Sequence, residues 1–225
     1  MLGAEAKKYG IDLSENQLGL FQIYLDELWA WSQRTNLTGL SSRKRIAFEL
    51  FLDSLIPAPF LAKRGTLLDA GTGAGLPGIP LKIYSPRLDL HLLDANFKKG
   101  SFLKHAIRLL GVGETVVITE RVEDAKDSLL PQGYHIITAR ALSRFGQALT
   151  WCAPKLAPGG FLVSYLGGQA ETELRENKEI IDEHHLVLYK HISYTLPGMD
   201  STRMAVIFKN KEGSHSYRNL SVTDP

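Results

Sequence analysis

The sequence predicts an α/β protein: a seven-stranded, mostly parallel sheet with helices on both faces, preceded by a helical N-terminal extension. Three observations lead there. From about residue 65 onward, short aliphatic runs alternate with helical spacers, as a parallel sheet covered on both faces requires. A glycine-rich loop, "AGTGAGLPG" (70–78), follows the first of those runs, where such folds hold ligands. About sixty residues with helical apolar spacing come before it.

The elements follow in order. Residues 14–34 place Leu18, Phe21, Leu25 and Leu28 at three- and four-residue steps, and Ser14 with Gln17 offers a capping box at the start. A second helical run extends from Ile46 to about Leu61, interrupted by Pro57 and Pro59. Strands are predicted over 65–71, 88–95, 114–120, 134–140, 159–166, 185–196 and 203–209, the last two as a hairpin. Helices fill 97–110 and 169–184.

Composition bounds the function. At 225 residues the chain can bury a full core, and 44% hydrophobic with 22% charged residues describes a folded domain. A formal charge of +2 means that a polyanion partner has to be held by a local patch. One cysteine, Cys152, allows neither a disulfide framework nor a thiolate metal cage, and the seven histidines lack a ligand spacing, so no metal is expected. No leader pattern and no apolar run near ~20 residues is present, so a cytoplasmic protein without membrane association is expected, as a monomer.

The glycine loop fits two ligands. Gly73-Ala-Gly75-Leu-Pro-Gly78 matches the dinucleotide pattern, while Asp69 followed by Gly71, Gly73 and Gly75 matches a methyl-donor pattern. Asp94, ending the second strand, suits a ribose diol in either case. The third strand separates them, because it ends in Val122 and Glu123, where the adenine of a mononucleotide would rest. Hydride transfer would further need a substrate domain, and little chain remains after the sheet. S-adenosylmethionine is therefore the expected cofactor, with Asp69 near its charged amino-acid end. Residues 63–210 then form the methyl-donor domain, 1–62 the helical extension and 211–225 a polar, flexible tail.

The acceptor is argued from what is missing. The fourth strand ends "TARALSRF", without the Asp/Asn-Pro-Pro-aromatic motif used on exocyclic amino groups. Cys152, the sole thiol for attack on a pyrimidine ring, lies in a helical stretch suited to burial. Instead the strand ends gather cations: Arg140, Arg144 and Arg121, with Lys98, Lys99, Lys104 and Arg108 on the helix after Asp94. Arginine does not act as a base. An acceptor with its own lone pair and no proton to lose fits, and N7 of guanine is one. In-line positioning alone supplies on the order of 7–11 kcal/mol. In RNA that atom faces a deep, narrow groove, so a loop is the expected target.

The segments "NLTG" (36–39), "LDSL" (52–55), "LLDAGTGAGLPGIPL" (67–81), "LLDANFKKGSFL" (92–103), "RVED" (121–124) and "ARAL" (139–142) together resemble the GidB/RsmG family of small-subunit rRNA guanine-N7 methyltransferases. That resemblance implies a Rossmann-like methyltransferase fold, S-adenosylmethionine as donor and a guanine of the decoding-site loop as acceptor. By matching positions it implies donor contacts at Gly71 and Leu76, with Val122 and Glu123 at the adenine and Asp94 at the ribose. Arg140 falls at the donor–acceptor junction, and Lys98, Lys99 and Arg121 face RNA, whether as free rRNA or in a ribonucleoprotein. One departure is Leu50, where the family commonly has His. Two other readings stay open: a small-molecule methyltransferase, and an assembly factor that keeps the fold without turnover.

Overall fold

The structure, a computed structural model, describes residues 1–35, 37–40 and 42–211; Asn36, Ser41 and residues 212–225 lie outside it, and with them the expectation of a flexible tail. Seven strands, β1 (Arg64–Ala70), β2 (Arg87–Leu93), β3 (Thr115–Ile118), β4 (Tyr134–Ala139), β5 (Leu156–Leu166), β6 (Leu186–Thr195) and β7 (Thr202–Asn210), form one sheet in the order β3-β2-β1-β4-β5-β7-β6. The pairs from β3 through β5 are parallel, while β7 runs antiparallel between β5 and β6. Strand order reverses between β1 and β4, so the loops after these strands open one crevice.

Leu67 to Ala70 are all buried, as a central strand covered on both faces demands. Successive residues serve opposite sides: Leu67 and Ile136 join one hydrophobic cluster, Leu68 and Ile137 the other. On the first face lie α5 (Gly78–Tyr84) and α6 (Phe97–Leu110); on the second lies α7 (Phe145–Cys152). Cys152 is fully buried there, and burial pushes its thiol up to about 12, so it is no nucleophile at neutral pH.

The extension has no core of its own. From α2 (Glu15–Ser32), Phe21, Tyr24 and Leu28 join Ile79, Leu92 and Phe102 in the first cluster. The capping box forms: Ser14 Oγ accepts from Gln17 N, and Gln17 Oε1 accepts from Ser14 N. Gln17 also donates through Nε2 to the carbonyls of Ile83 and Tyr84, which closes the end of α5. A short α1 (Leu2–Lys7), not predicted, buries Leu2 and Ala6 on this layer.

Two predicted helices differ in form. The run from Ile46 begins with α3 (Arg43–Arg45), widens into a π-helix over Ile46–Leu52 and returns to α-helix in α4 (Asp53–Leu55) before Pro57. The run 169–184 divides at Asn177 into α8 (Ala170–Glu176) and α9 (Lys178–Glu183). Asn177 donates to the Glu173 carbonyl and presses on Gly146, where any Cβ would stand 2.0 Å from its Oδ1.

Candidate active site

The glycine loop turns between the end of β1 and α5. Gly71 sits at φ +70°, and its N–H and that of Thr72 donate to the Leu93 carbonyl, which ties the loop to β2. A Cβ on Gly71 would stand 2.6 Å from Leu142 Cδ1. Gly73 N donates to Asp94 Oδ2 at 2.9 Å. Asp69 lies beneath all of this without solvent exposure. It accepts from Thr72 Oγ1 (2.5 Å), Gly78 N (2.8 Å) and Thr138 Oγ1 (2.8 Å). Burial raises its pKa, against those three donors.

Two cavities open on the loop. One of about 260 Å³ is bounded by Gly71, Asp94, Lys99, Val122, Glu123 and Trp151. A second, of about 480 Å³, is bounded by Gly73, Leu76, Leu50, Asp53, Arg140 and Arg203. Gly71, Lys99 and Ala141 line both, so they meet across the crevice. Leu37 to Leu40 form part of the second wall, and the extension therefore covers the loop from outside.

The second cavity ends in a charged knot. Asp53, 1% exposed in its side chain, takes Arg140 Nη1 at 3.1 Å on Oδ2, and Arg203 Nη1 (2.9 Å) with Tyr194 Oη (2.8 Å) on Oδ1. Arg140 Nη1 also reaches the Leu50 carbonyl and Ser54 Oγ, both at 3.4 Å, and its guanidinium lies 6.0 Å from the Tyr165 ring centroid. The wider π-helical turn presents Leu50 just ahead of Asp53 and Ser54, so one helix face meets Arg140 three times. Burial and the nearby Asp53 push the Tyr165 and Tyr194 phenols up, so both remain donors. Two arginines against one carboxylate leave this end of the cleft positive. The other acid of the wall, Glu49, is held by Arg45 at 2.5 Å. Both acids of the second cavity's wall are thus engaged by cations.

The predicted residues separate into layers. Gly71, Gly73, Leu76, Asp94, Val122, Glu123 and Arg140 come together around the two cavities. Asp69 and Gly75 do not. Asp69 is sealed under the loop, and Gly75, at φ +94°, faces α2 and α5, where a Cβ would stand 2.4 Å from Ile79 Cδ1 and 2.9 Å from Tyr24 Oη. Both shape the loop from behind instead of lining the crevice. Lys99 was expected outward and turns inward, its Nζ 3.3 Å from Asp94. Lys98, Arg121 and Arg144 are exposed; of the three only Arg121 lines a cavity, 3.5 Å from Glu123. Arg203 and Trp151 were not foreseen. Neither sits in a local motif: Arg203 comes from the hairpin strand and Trp151 from the last turn of α7.

Among the described residues no group of three His, Cys, Asp or Glu could hold a metal, and no helix is long and apolar enough to cross a membrane. Sheet order and crevice together define the Rossmann-like methyltransferase class. A solved structure illustrates the fold: M. jannaschii TYW2, in complex with AdoMet, superposes with TM-score 0.56 at 14% identity over 70% of this chain and 73% of that one. Within the class, the chain belongs to the GidB family, "rRNA small subunit methyltransferase G", whose model matches residues 17–195. Relatives named ribosomal RNA small subunit methyltransferase G are similar over nearly the whole chain. That of Alkaliphilus metalliredigens is 32% identical over 94% of this chain and 90% of its own length. That of Lachnoclostridium phytofermentans is 34% identical over 94% and 89%.

Proposed function

We propose that this protein transfers a methyl group from S-adenosylmethionine to N7 of a guanine in small-subunit ribosomal RNA. One observation carries the reading: a glycine-walled crevice at the strand-order reversal runs into a second cavity whose acids, Glu49 and Asp53, are both paired with arginines. Such a wall offers an acceptor position but no free base, which suits an atom that attacks with its own lone pair.

The crevice fits the donor's parts. Gly71 and Gly73 bring backbone close on one side. Asp94 still has acceptor capacity beside the three donors it now takes, from Gly73, Asn96 and Lys99, and would receive ribose hydroxyls. Val122 and Trp151 give the first cavity apolar walls for a purine, and Glu123 stands at its rim. When bound, S-adenosylmethionine supplies an electrophilic methyl on a sulfonium. Arg140, locked by Asp53 and the Leu50 carbonyl, lines the second cavity next to Ala141, which borders both, and would orient the acceptor there. Lys98, Arg121 and Arg144 would attract the phosphates of an RNA loop.

The test is transfer of a labelled methyl group to small-subunit particles that lack the modification, read by strand cleavage at N7-methylguanine. Label at one guanine is the expected result. Donor binding without label would point to a small-molecule acceptor or an assembly role, and absence of donor binding would overturn the assignment of the loop.

A further inference from the structure

The N-terminus of α6 carries a feature that donor binding leaves unused. Phe97 is 78% exposed, although burying such a ring would stabilise the fold. Two other exposed aromatics have partners: Lys190 lies over Phe60 at 5.0 Å, and Tyr189 meets Phe161 at 5.1 Å. Among the described residues no ring or cation is placed against Phe97. Helix capping does not need it either, because Asn96 already accepts from Lys98 N and Lys99 N through its side chain.

Its position is specific. Ala95 and Lys99, two residues to either side, line the first cavity, and Asp94 Oδ1 fixes the turn by accepting from Asn96 N at 2.9 Å. Ser101, Lys104 and Arg108 follow Phe97 at helical spacing, and all are exposed. Four residues thus form one outward stripe of roughly 16 Å, at 1.5 Å per residue, that starts with a ring two residues from crevice-lining Ala95 and Lys99 and continues with cations. An accessible ring leading into a basic track is the chemistry of single-stranded nucleic-acid recognition: bases stack on aromatic faces while cations follow the phosphates.

We infer that Phe97 is a stacking platform for an unpaired base neighbouring the target nucleotide, and that Lys104 and Arg108 carry the adjoining backbone along α6. The inference rests on the RNA substrate proposed above. The ring adds affinity that salt does not screen, and the two cations add affinity that it does.

Phe97→Ala, Phe97→Trp, Phe97→Leu, Lys104→Ala and Arg108→Ala would be compared with the wild type for methyl transfer to unmodified particles and for binding to a guanine-containing single-stranded RNA. Phe97→Ala should raise KM roughly 10-fold or more with kcat, donor affinity and melting temperature unchanged, since stacked bases are worth ~1–3 kcal/mol each. Phe97→Trp should restore KM, and Phe97→Leu should not. Lys104→Ala and Arg108→Ala should each flatten the log–log salt dependence of RNA binding by about 0.7, while Phe97→Ala leaves it unchanged. An unaltered KM for Phe97→Ala overturns the inference. So does rescue by Leu equal to Trp, or a loss on particles without one on RNA, since either would make the contact a protein surface. If the wild type itself transfers no methyl group, the functional reading fails and this inference with it; if only Phe97→Ala behaves as wild type, the functional reading stands.

Discussion

Arg140 Nη1 lies 3.1 Å from Asp53 Oδ2, joining the end of β4 to the start of α4 across 87 positions of sequence. Asp53 is enclosed and also holds Arg203, so it sets the direction of both guanidinium groups that line the second cavity. Asp53→Ala should cost about 1–3 kcal/mol, because it leaves two half-buried arginines and the Tyr194 hydroxyl without their shared acceptor. Asp53→Asn should cost less and lower kcat for methyl transfer more than it weakens donor binding. Urea unfolding with calorimetric donor titration would separate the two effects, and an unchanged kcat in a folded Asp53→Asn would remove its positioning role.

Arg140 itself is packed against Tyr165 and bonded at three oxygens. Arg140→Ala should reduce transfer by at least about 100-fold while donor affinity falls far less, since loss of alignment is costly at the reacting atoms. Arg140→Lys should rescue little, as the shorter chain and compact ammonium cannot keep a planar group beside the Tyr165 ring while reaching Asp53. Normal transfer by Arg140→Ala would show that the assignment is wrong.

Asp94 holds the loop through Gly73 N and Lys99 Nζ. Asp94→Ala should weaken donor binding by roughly 10- to 100-fold, the range of ~1.5–3 kcal/mol for hydrogen bonds to a charged group. The fold should remain, because the first cavity and not the core loses its acceptor. Equal donor affinity in calorimetry would count against the ribose role.

The three loop glycines should differ. Gly73→Ala meets only ordinary contacts, with Gly71 O and Lys99 Nζ both 4.0 Å away, and costs about 1–2 kcal/mol for its left-handed backbone. Gly75→Ala adds overpacking against Ile79 and Tyr24, typically about 1–3 kcal/mol more. Gly71→Ala drives into Leu142, which borders the donor cavity, and should show most strongly in donor affinity. Urea midpoints ordered wild type, Gly73→Ala, Gly75→Ala are expected; the reverse order would mean that the loop relaxes differently.

Cys152 should resist alkylation in the folded protein at neutral pH and react on unfolding. Its folded pKa, about 12, lies above the ~8.5 of a free thiol, so the native state keeps a proton that the unfolded chain releases. That contribution is complete below about pH 8.5 and is lost as pH rises toward 12. The stability advantage of wild type over Cys152→Ala should shrink across that window in urea titrations, and a constant difference would contradict the burial.

What was legible in the sequence was local. Apolar runs marked all seven strands to within a few residues, Ser14 and Gln17 marked the start of α2, and the spacing of Asp69, Gly71, Gly73 and Asp94 marked the crevice, because short-range sterics and hydrogen bonds decide such features. Tertiary structure decided the rest. Asp69 and Gly75 read as ligand residues, yet Asp69 stands within β1 beside its register partner Thr138, and the Gly75 backbone packs against Ile79 of α5. Arg203 carried no motif, and it enters the site because β7 slots antiparallel between β5 and β6 and brings its first turnward residues beside Asp53, 150 positions away. Periodicity fixes which face of an element is apolar, whereas only the order in which strands pair fixes which distant side chains share a cavity. For this chain, the donor loop belongs to the first kind of information and the arginine pair around Asp53 to the second.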